Sequence, residues 1–330
     1  MNHDRHAGEV HAGSWRAMGC SVEVLIVGGS PDLLQLASTS IDHLERRWSR
    51  FLPESDISCL NHAAGSTVHI DPATVVLLQA MLDGWRATSG AFDPTLLAPL
   101  VSLGYSASWH DPASVTSLPH GAMMRVDLDQ LEINAAQCTA RAPHGMCLDP
   151  GGIGKGLAAD MVVDRLMEDG AVGASVSIGG DVAVRGAAPQ AGGWLVGVTD
   201  PVSFDIEMGQ LAIVQGGVAT SGTLRRCWHT DTGEAVHHLL DPATGQPARH
   251  DRQIVAVTVV AGTAAWAEVW TKAVMVRGAT MLAVLDGHGL GAQLMYADRS
   301  TVENRSWATY AVSGQQWSDL AGDEVEMIQV

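Results

Sequence analysis

Short apolar runs at 174–178, 182–184, 194–198 and 211–218 follow one another through glycine turns with no helical stretch between them. A chain that reverses at each glycine pairs every run with a neighbour running the other way, which points to antiparallel sheet. The run at 20–27 alternates in part between apolar and polar and reads as another strand, ending at Gly28-Gly29-Ser30, and 254–260 reads as one more. Helical periodicity is confined to other stretches. Leu33, Ala37, Ile41, Leu44 and Trp48 recur at helical spacing behind Ser30 as cap and Pro31 in the first turn. Val75, Leu78, Leu82 and Trp85 do so between Asp71-Pro72 and Ser89-Gly90. Leu157, Met161 and Leu166 mark a third helix stopped at Gly170, and a last helical pair is expected at 264–276 and 280–286. Strands in consecutive runs and helices in clusters predict an α+β fold, largely antiparallel sheets with packed helices, over a doubly wound parallel one.

No linker divides the 330 residues, so the reading is one domain over 14–318, with a disordered N-terminus at 1–13 and an acidic tail at 319–330. The formal net charge of −17 repels phosphate backbones and anionic lipid, which argues against nucleic acid as a partner. An anionic ligand must then be held by local devices such as a helix N-terminus, glycine-rich backbone, a lysine or a metal ion. Five scattered cysteines without a CxxC pair read as reduced thiols. The first residues carry no apolar segment of a secretory signal, and the apolar stretch 254–276 contains Glu268 and Lys272. A cytoplasmic protein without a stable membrane insertion is expected.

The most informative segment for chemistry is 149–160, Asp149-Pro150-Gly151-Gly152-Ile153-Gly154-Lys155-Gly156 and onward, where glycines lead into a helix and frame one lysine. Glycines let backbone N–H groups approach a phosphate, the helix start adds partial positive charge and Lys155 a formal one. It is not a Walker loop, because Gly156 follows the lysine in place of Ser or Thr. A glycine turn with a solvated lysine explains the segment equally well. Gly179-Gly180-Asp181 reads either as a ligand-binding turn or as a tight hairpin with a solvated carboxylate. His237-His238, followed by Asp241-Pro242-Ala243-Thr244-Gly245, reads as a base held by a turn or as a strand end. The paired histidines lack the spacing of a zinc site.

Trp48-Ser49-Arg50-Phe51 with 55–61, Gly90-Ala91-Phe92-Asp93-Pro94-Thr95, the 149–160 segment, 178–181, Thr220-Ser221-Gly222 and 238–247 together resemble the ordered motifs of the ApbE family, the FAD:protein FMN transferases. The resemblance runs from about residue 18 to about 276. It implies an ApbE-like fold that binds FAD, uses magnesium (Mg2+) at the pyrophosphate, and moves FMN to a Ser or Thr hydroxyl of a flavin-acceptor protein with release of AMP. It implies that Met18 and Phe51 line the flavin or adenine, and that Ala91, Phe92 and Asp93 contact the nucleotide. Asp149 and Lys155 would hold polar groups of FAD, with Gly179, Gly180, Asp181, Ser221 and Leu239 completing the cofactor-binding set. His238 would be the catalytic base.

One position departs from the pattern. The family's late metal motif has an Asp and, four residues on, a Thr, with a carbonyl of the glycine-rich segment completing the site; the aligned residues here are Glu268 and Lys272. A carboxylate can ligate magnesium, whereas an ammonium cannot. Either Thr271 and the Gly152 carbonyl help Glu268 hold the ion, or Lys272 replaces part of its charge; a plain i,i+4 helix pair is the remaining alternative. The same site with water as nucleophile would make an FAD diphosphatase, and without turnover an FAD-binding protein.

Overall fold

The computed structural model describes residues 8–203, 205–312 and 328–329. Its centre is an eight-stranded sheet whose spatial order is the chain order: Val10–Ala17, Cys20–Val27, Gly173–Ile178, Asp181–Gly186, Gly216–Gly222, Ile254–Ala261, Gly291–Tyr296 and Thr301–Glu303. Every neighbouring pair is antiparallel, and the architecture is α+β as expected. Helices α1 (Leu33–Trp48), α2 (Asp56–His62), α3 (Pro72–Ala87), α4 (Leu97–Ser102) and α5 (Gly154–Glu168) lie in the connection between the second and third strands. Helices α6 (Ala264–Arg277) and α7 (Met281–Gly287) connect the sixth and seventh.

The side-chain alternation of the strands sorts the core into layers. Val22, Val24, Ile26, Val176 and Ala183 pack with Leu157, Val162 and Leu166 of α5 and with the buried stripe of α1. Val257, Val259 and Ala261 pack with Trp270 and Val274 of α6. The intervening positions, Val27, Val182, Val184, Val218 and Val260, face a hairpin formed by Trp194–Thr199 and Glu207–Ile213. A sheet covered on both faces has no polar side, which is why Ile254–Ala261 is buried at every position and reads as a continuous apolar run.

Some local expectations are corrected. The run 211–218 is two strands in two layers, separated where Gly216 adopts φ +134°; a Cβ there would lie 2.5 Å from the Ala261 carbonyl oxygen. Residues 10–13 belong to the edge strand, because Val10–Ala17 pairs along its whole length with Cys20–Val27. Helix α1 begins at Leu33, with Ser30 accepting from the Asp32 amide just before it. The tail 319–330 falls outside the described residues except Ile328–Gln329, which pair parallel with Val196–Gly197.

Helices α5 and α6 meet at their N-terminal turns. The Asp160 carboxylate accepts from the amides of Ala264 and Ala265 at 3.0 and 2.8 Å, satisfying the first turn of α6. Burial pushes its pKa up to about 6 against those hydrogen bonds. Gly156 makes the approach possible, since a Cβ on it would sit 2.5 Å from the Ala264 carbonyl oxygen. Gly156→Ala is therefore expected to force the helix ends apart and to cost about 1–3 kcal/mol in stability, read from denaturant unfolding. An unchanged midpoint would show that the two ends are not in firm contact.

Candidate active site

Two hairpin tips lie at the site, and the first of them lines it. Met18-Gly19 forms the two-residue turn between the first two strands with φ +50° and +67°, and Gly179-Gly180 the turn between the next two with φ +62° and +90°. Such turns need left-handed backbone, easy for glycine and strained for Met18. The Gly179 amide donates to the Ser21 carbonyl at 2.8 Å, tying the tips together. A Cβ on Gly179 would meet the Cys20 sulfur at 2.9 Å and Lys155 Cδ at 3.6 Å, so the turn lies against the first turn of α5.

Beside these tips opens a cleft of about 520 Å³, lined among others by Met18, Phe51, Ala91, Phe92, Asp93, Asp149, Gly152, Lys155, His238 and Leu239. Residues far apart in sequence thus converge on one cavity. Gly179, Gly180, Asp181, Ser221, Glu268 and Thr271 are not on its wall; they form the layer behind Lys155 and Lys272. Phe92 is 3% exposed, and its ring fills the space above Gly84 and Gly152, where added Cβ atoms would approach it to 3.2 and 2.9 Å. Its main effect is to set the position of the glycine segment. Asp93 accepts from the Thr95 amide and hydroxyl at 2.9 and 2.7 Å, while burial raises its pKa. The Asp149 carboxylate caps the turn at 150–152 by accepting from Gly151 N–H at 2.9 Å.

One group of lining residues is aromatic and centred on Arg50. The Arg50 guanidinium lies 4.2 Å from the Phe51 ring centroid and 4.7 Å from that of Tyr105, and is held by Thr116 Oγ1 at 2.9 Å and Asp149 at 3.6 Å. Tyr105 in turn packs on Trp228, with centroids 5.5 Å apart. Arg50, Tyr105 and Arg226 escaped the sequence reading as site residues; the Arg-Phe dipeptide after α1 was the available signal for the first.

A second group is ionic. Lys155 Nζ is paired with Asp181 and lies 3.1 Å from Glu268 Oε1; Lys272 Nζ lies 3.2 Å from the same oxygen. Glu268 Oε2 accepts from Gly156 N–H at 2.9 Å. Burial works against the Glu268 carboxylate, but the two ammonium groups outweigh it and hold its pKa below the ordinary value. Burial also draws both lysines down, opposed by Glu268. The i,i+4 contact of Glu268 with Lys272, one of the alternatives left open by the sequence, is present as part of a buried cluster, with Glu268 fully inaccessible.

Two members of the set expected to ligate magnesium, Glu268 and Thr271, are already engaged by protein partners. Thr271 gives its hydroxyl proton to the Glu268 carbonyl at 2.7 Å and receives a hydrogen bond from Ser221 at 2.6 Å. Gly152 faces Lys272, whose Cε would be 3.7 Å from an added Cβ. Both Glu268 carboxylate oxygens are already engaged by N–H donors. The residues present do not fit a divalent ion, which needs free oxygen ligands.

His238 also lines the cleft, half-buried, with Nδ1 3.3 Å from the Arg226 carbonyl oxygen. Burial first, then the charges of Arg226 and Lys272, push its pKa well below 6.5. A carbonyl can only accept, so Nδ1 carries the proton and Nε2 the lone pair. His237 Nδ1 is turned to the Leu239 amide at 3.3 Å and is outside the cleft wall.

A cleft that combines planar groups, cationic groups and a neutral imidazole suits a ligand with an aromatic and an anionic part. The ApbE family profile matches residues 18–294, and the chain belongs to the ApbE family. It is 30% identical over 264 residues to an FAD:protein FMN transferase of Klebsiella pneumoniae, covering 74% of this chain and 79% of that protein. Identity to the FAD:protein FMN transferase of Treponema pallidum is 33% over 224 residues, 62% of this chain and 60% of that one. The ApbE protein of Thermotoga maritima superposes with a TM-score of 0.80 at 23% identity, over 92% of this chain and 100% of that chain. The apo flavinyl transferase ApbE of Pseudomonas stutzeri gives 0.76 at 24% identity, over 94% and 99%. The last two similarities establish the shared fold. No helix among the described residues is long and apolar enough to cross a membrane.

Proposed function

We propose that this chain is a transferase that takes FAD as donor and places its FMN half on a Ser or Thr hydroxyl of an acceptor flavoprotein, releasing AMP. The observation that carries this reading is that Met18, Phe51, Phe92, Asp149 and Lys155, from separate motifs, line one cleft that also holds the neutral imidazole of His238. The cleft volume of about 520 Å³ is in the range of small-molecule and cofactor sites. The Arg50, Phe51 and Tyr105 group offers faces for a planar ring, and Lys155 and Lys272 offer charge to the pyrophosphate.

In the reaction the acceptor hydroxyl oxygen attacks the FMN-side phosphorus. Its proton passes to Nε2 of His238, the bond from that phosphorus to the bridging oxygen breaks, and AMP leaves with the electron pair. No oxidation state changes. The donor set at Glu268 does not fit the magnesium that the resemblance implies, so no step is routed through a metal.

Calorimetry is expected to show FAD binding that exceeds FMN binding, because FMN lacks the pyrophosphate and adenosine that fill the rest of the cleft. Incubation with FAD and a flavin-acceptor protein is expected to give AMP together with covalent flavin fluorescence on the acceptor. AMP without labelled acceptor would instead make the chain a diphosphatase, and absence of FAD binding would remove the reading altogether.

A further inference from the structure

We propose that the Lys272 ammonium takes the place of a divalent cation at the pyrophosphate end of the cleft, so that FAD binding and FMN transfer by this chain require no metal. The inference rests on the transfer reading above and deepens it by assigning a catalytic residue. Its first support is position. Lys272 sits one helical turn after Glu268 on α6, lies 3.2 Å from Glu268 Oε1, lines the cleft, and has its aliphatic stem against Gly152. It occupies the space between the helix carboxylate and the glycine segment, the two elements from which a cation would have to draw ligands.

The second support is donor count. Glu268 Oε1 receives two ammonium groups and Oε2 the Gly156 amide, while the Thr271 hydroxyl is spent on its own helix and on Ser221. The oxygen that faces position 272, Glu268 Oε1, is thus already taken by the Lys272 ammonium itself. The third is charge. Asp181 and Glu268 are matched by Lys155 and Lys272, so the cluster is neutral as it stands. With a threonine at 272 the cluster would carry one uncompensated negative charge and repel a pyrophosphate unless a cation entered. With lysine there, an entering divalent ion would meet an ammonium at contact distance. The ammonium also suits the step itself. As the bond to the bridging oxygen breaks, negative charge accumulates on the departing AMP phosphate, and a fixed cation at that end of the cleft stabilises it.

The test compares wild type and Lys272→Thr in EDTA and in magnesium. Calorimetry reads FAD affinity, AMP release from FAD with a flavin-acceptor protein reads turnover, and electron paramagnetic resonance of Mn2+ reads metal binding without reference to activity. Wild type is expected to bind FAD and release AMP equally in EDTA and in magnesium, and to leave added Mn2+ free. Lys272→Thr is expected to bind FAD about 10- to 100-fold more weakly in EDTA, the loss of one charge-assisted hydrogen bond, and to recover with magnesium while acquiring a Mn2+ site. Wild-type turnover that appears only with magnesium, or stoichiometric Mn2+ binding by the wild type, would overturn the inference and leave the transfer reading standing. Absence of turnover under both conditions would overturn the transfer reading and this inference with it. The wild-type measurements decide the matter even should Lys272→Thr fail to fold.

Discussion

His238→Ala is expected to fold, to bind FAD, and to lose about 10²–10⁴-fold of its FMN-transfer rate, the usual worth of a positioned general base. The surroundings keep the imidazole neutral: burial, Arg226 and Lys272 all disfavour its protonated form. The sign of the pH dependence follows. Because the pKa lies well below 6.5, the base is already free at neutral pH, and the acid limb of the wild-type rate profile is expected well below pH 6.5. His238→Ala should remove that limb. His237→Ala should lose far less, since His237 accepts from the Leu239 amide and stays off the cleft wall. Rate losses of equal size in the two variants would dismiss His238 as the base.

The largest effect on stability is expected from Glu268→Ala. The carboxylate is fully inaccessible and holds Lys155, Lys272 and the Gly156 amide together. Removing it leaves two largely buried ammonium groups with Asp181 alone and strands an amide at the start of α5. Deleting one member of a buried ionic cluster costs about 3–5 kcal/mol, mainly the penalty of the charge left behind. Adding Lys272→Met to Glu268→Ala should recover part of that loss by taking away one stranded charge. A useful contrast is the pair Arg86 and Asp129, both about half exposed, whose disruption should cost about 0–1 kcal/mol. Denaturant unfolding of these proteins measures the difference, and a Glu268→Ala midpoint as little changed as that of Asp129→Ala would contradict the buried-cluster description.

What could be read from residues alone was whatever depends on neighbours along the chain. Leu33, Ala37, Ile41, Leu44 and Trp48 were spaced for one face of a helix, and all five are the buried residues of α1. Asp71 before Pro72 announced the start of α3 and does cap it, accepting from Ala73 N–H. Glycine-bounded apolar runs required chain reversals, and the sheet is antiparallel throughout its eight strands. Periodicity and turn chemistry report local hydrogen bonding and the direction of burial, so these features survive without knowledge of the rest of the fold.

The same local rules could not say where the run 211–218 changes sheet, because that depends on how closely the Ala261 carbonyl approaches Gly216. Nor could they say what each glycine of the 149–160 segment is for. Gly152 makes room for Phe92 and Gly156 for the Ala264 carbonyl, so packing as well as backbone access to a ligand selects them. The charges show the limit most clearly. Lys155 read as an anion-binding or a solvated cation, and Glu268 with Lys272 as a metal site, a charge replacement or a helix pair; the approach of α5 and α6 brings all three together with Asp181 from the end of a strand. Sequence by itself determined which residues carried charge and which helices carried them. Only the tertiary structure decided which charges meet, because the ends of α5 and α6 approach closely enough to join partners as distant in sequence as Lys155 and Glu268.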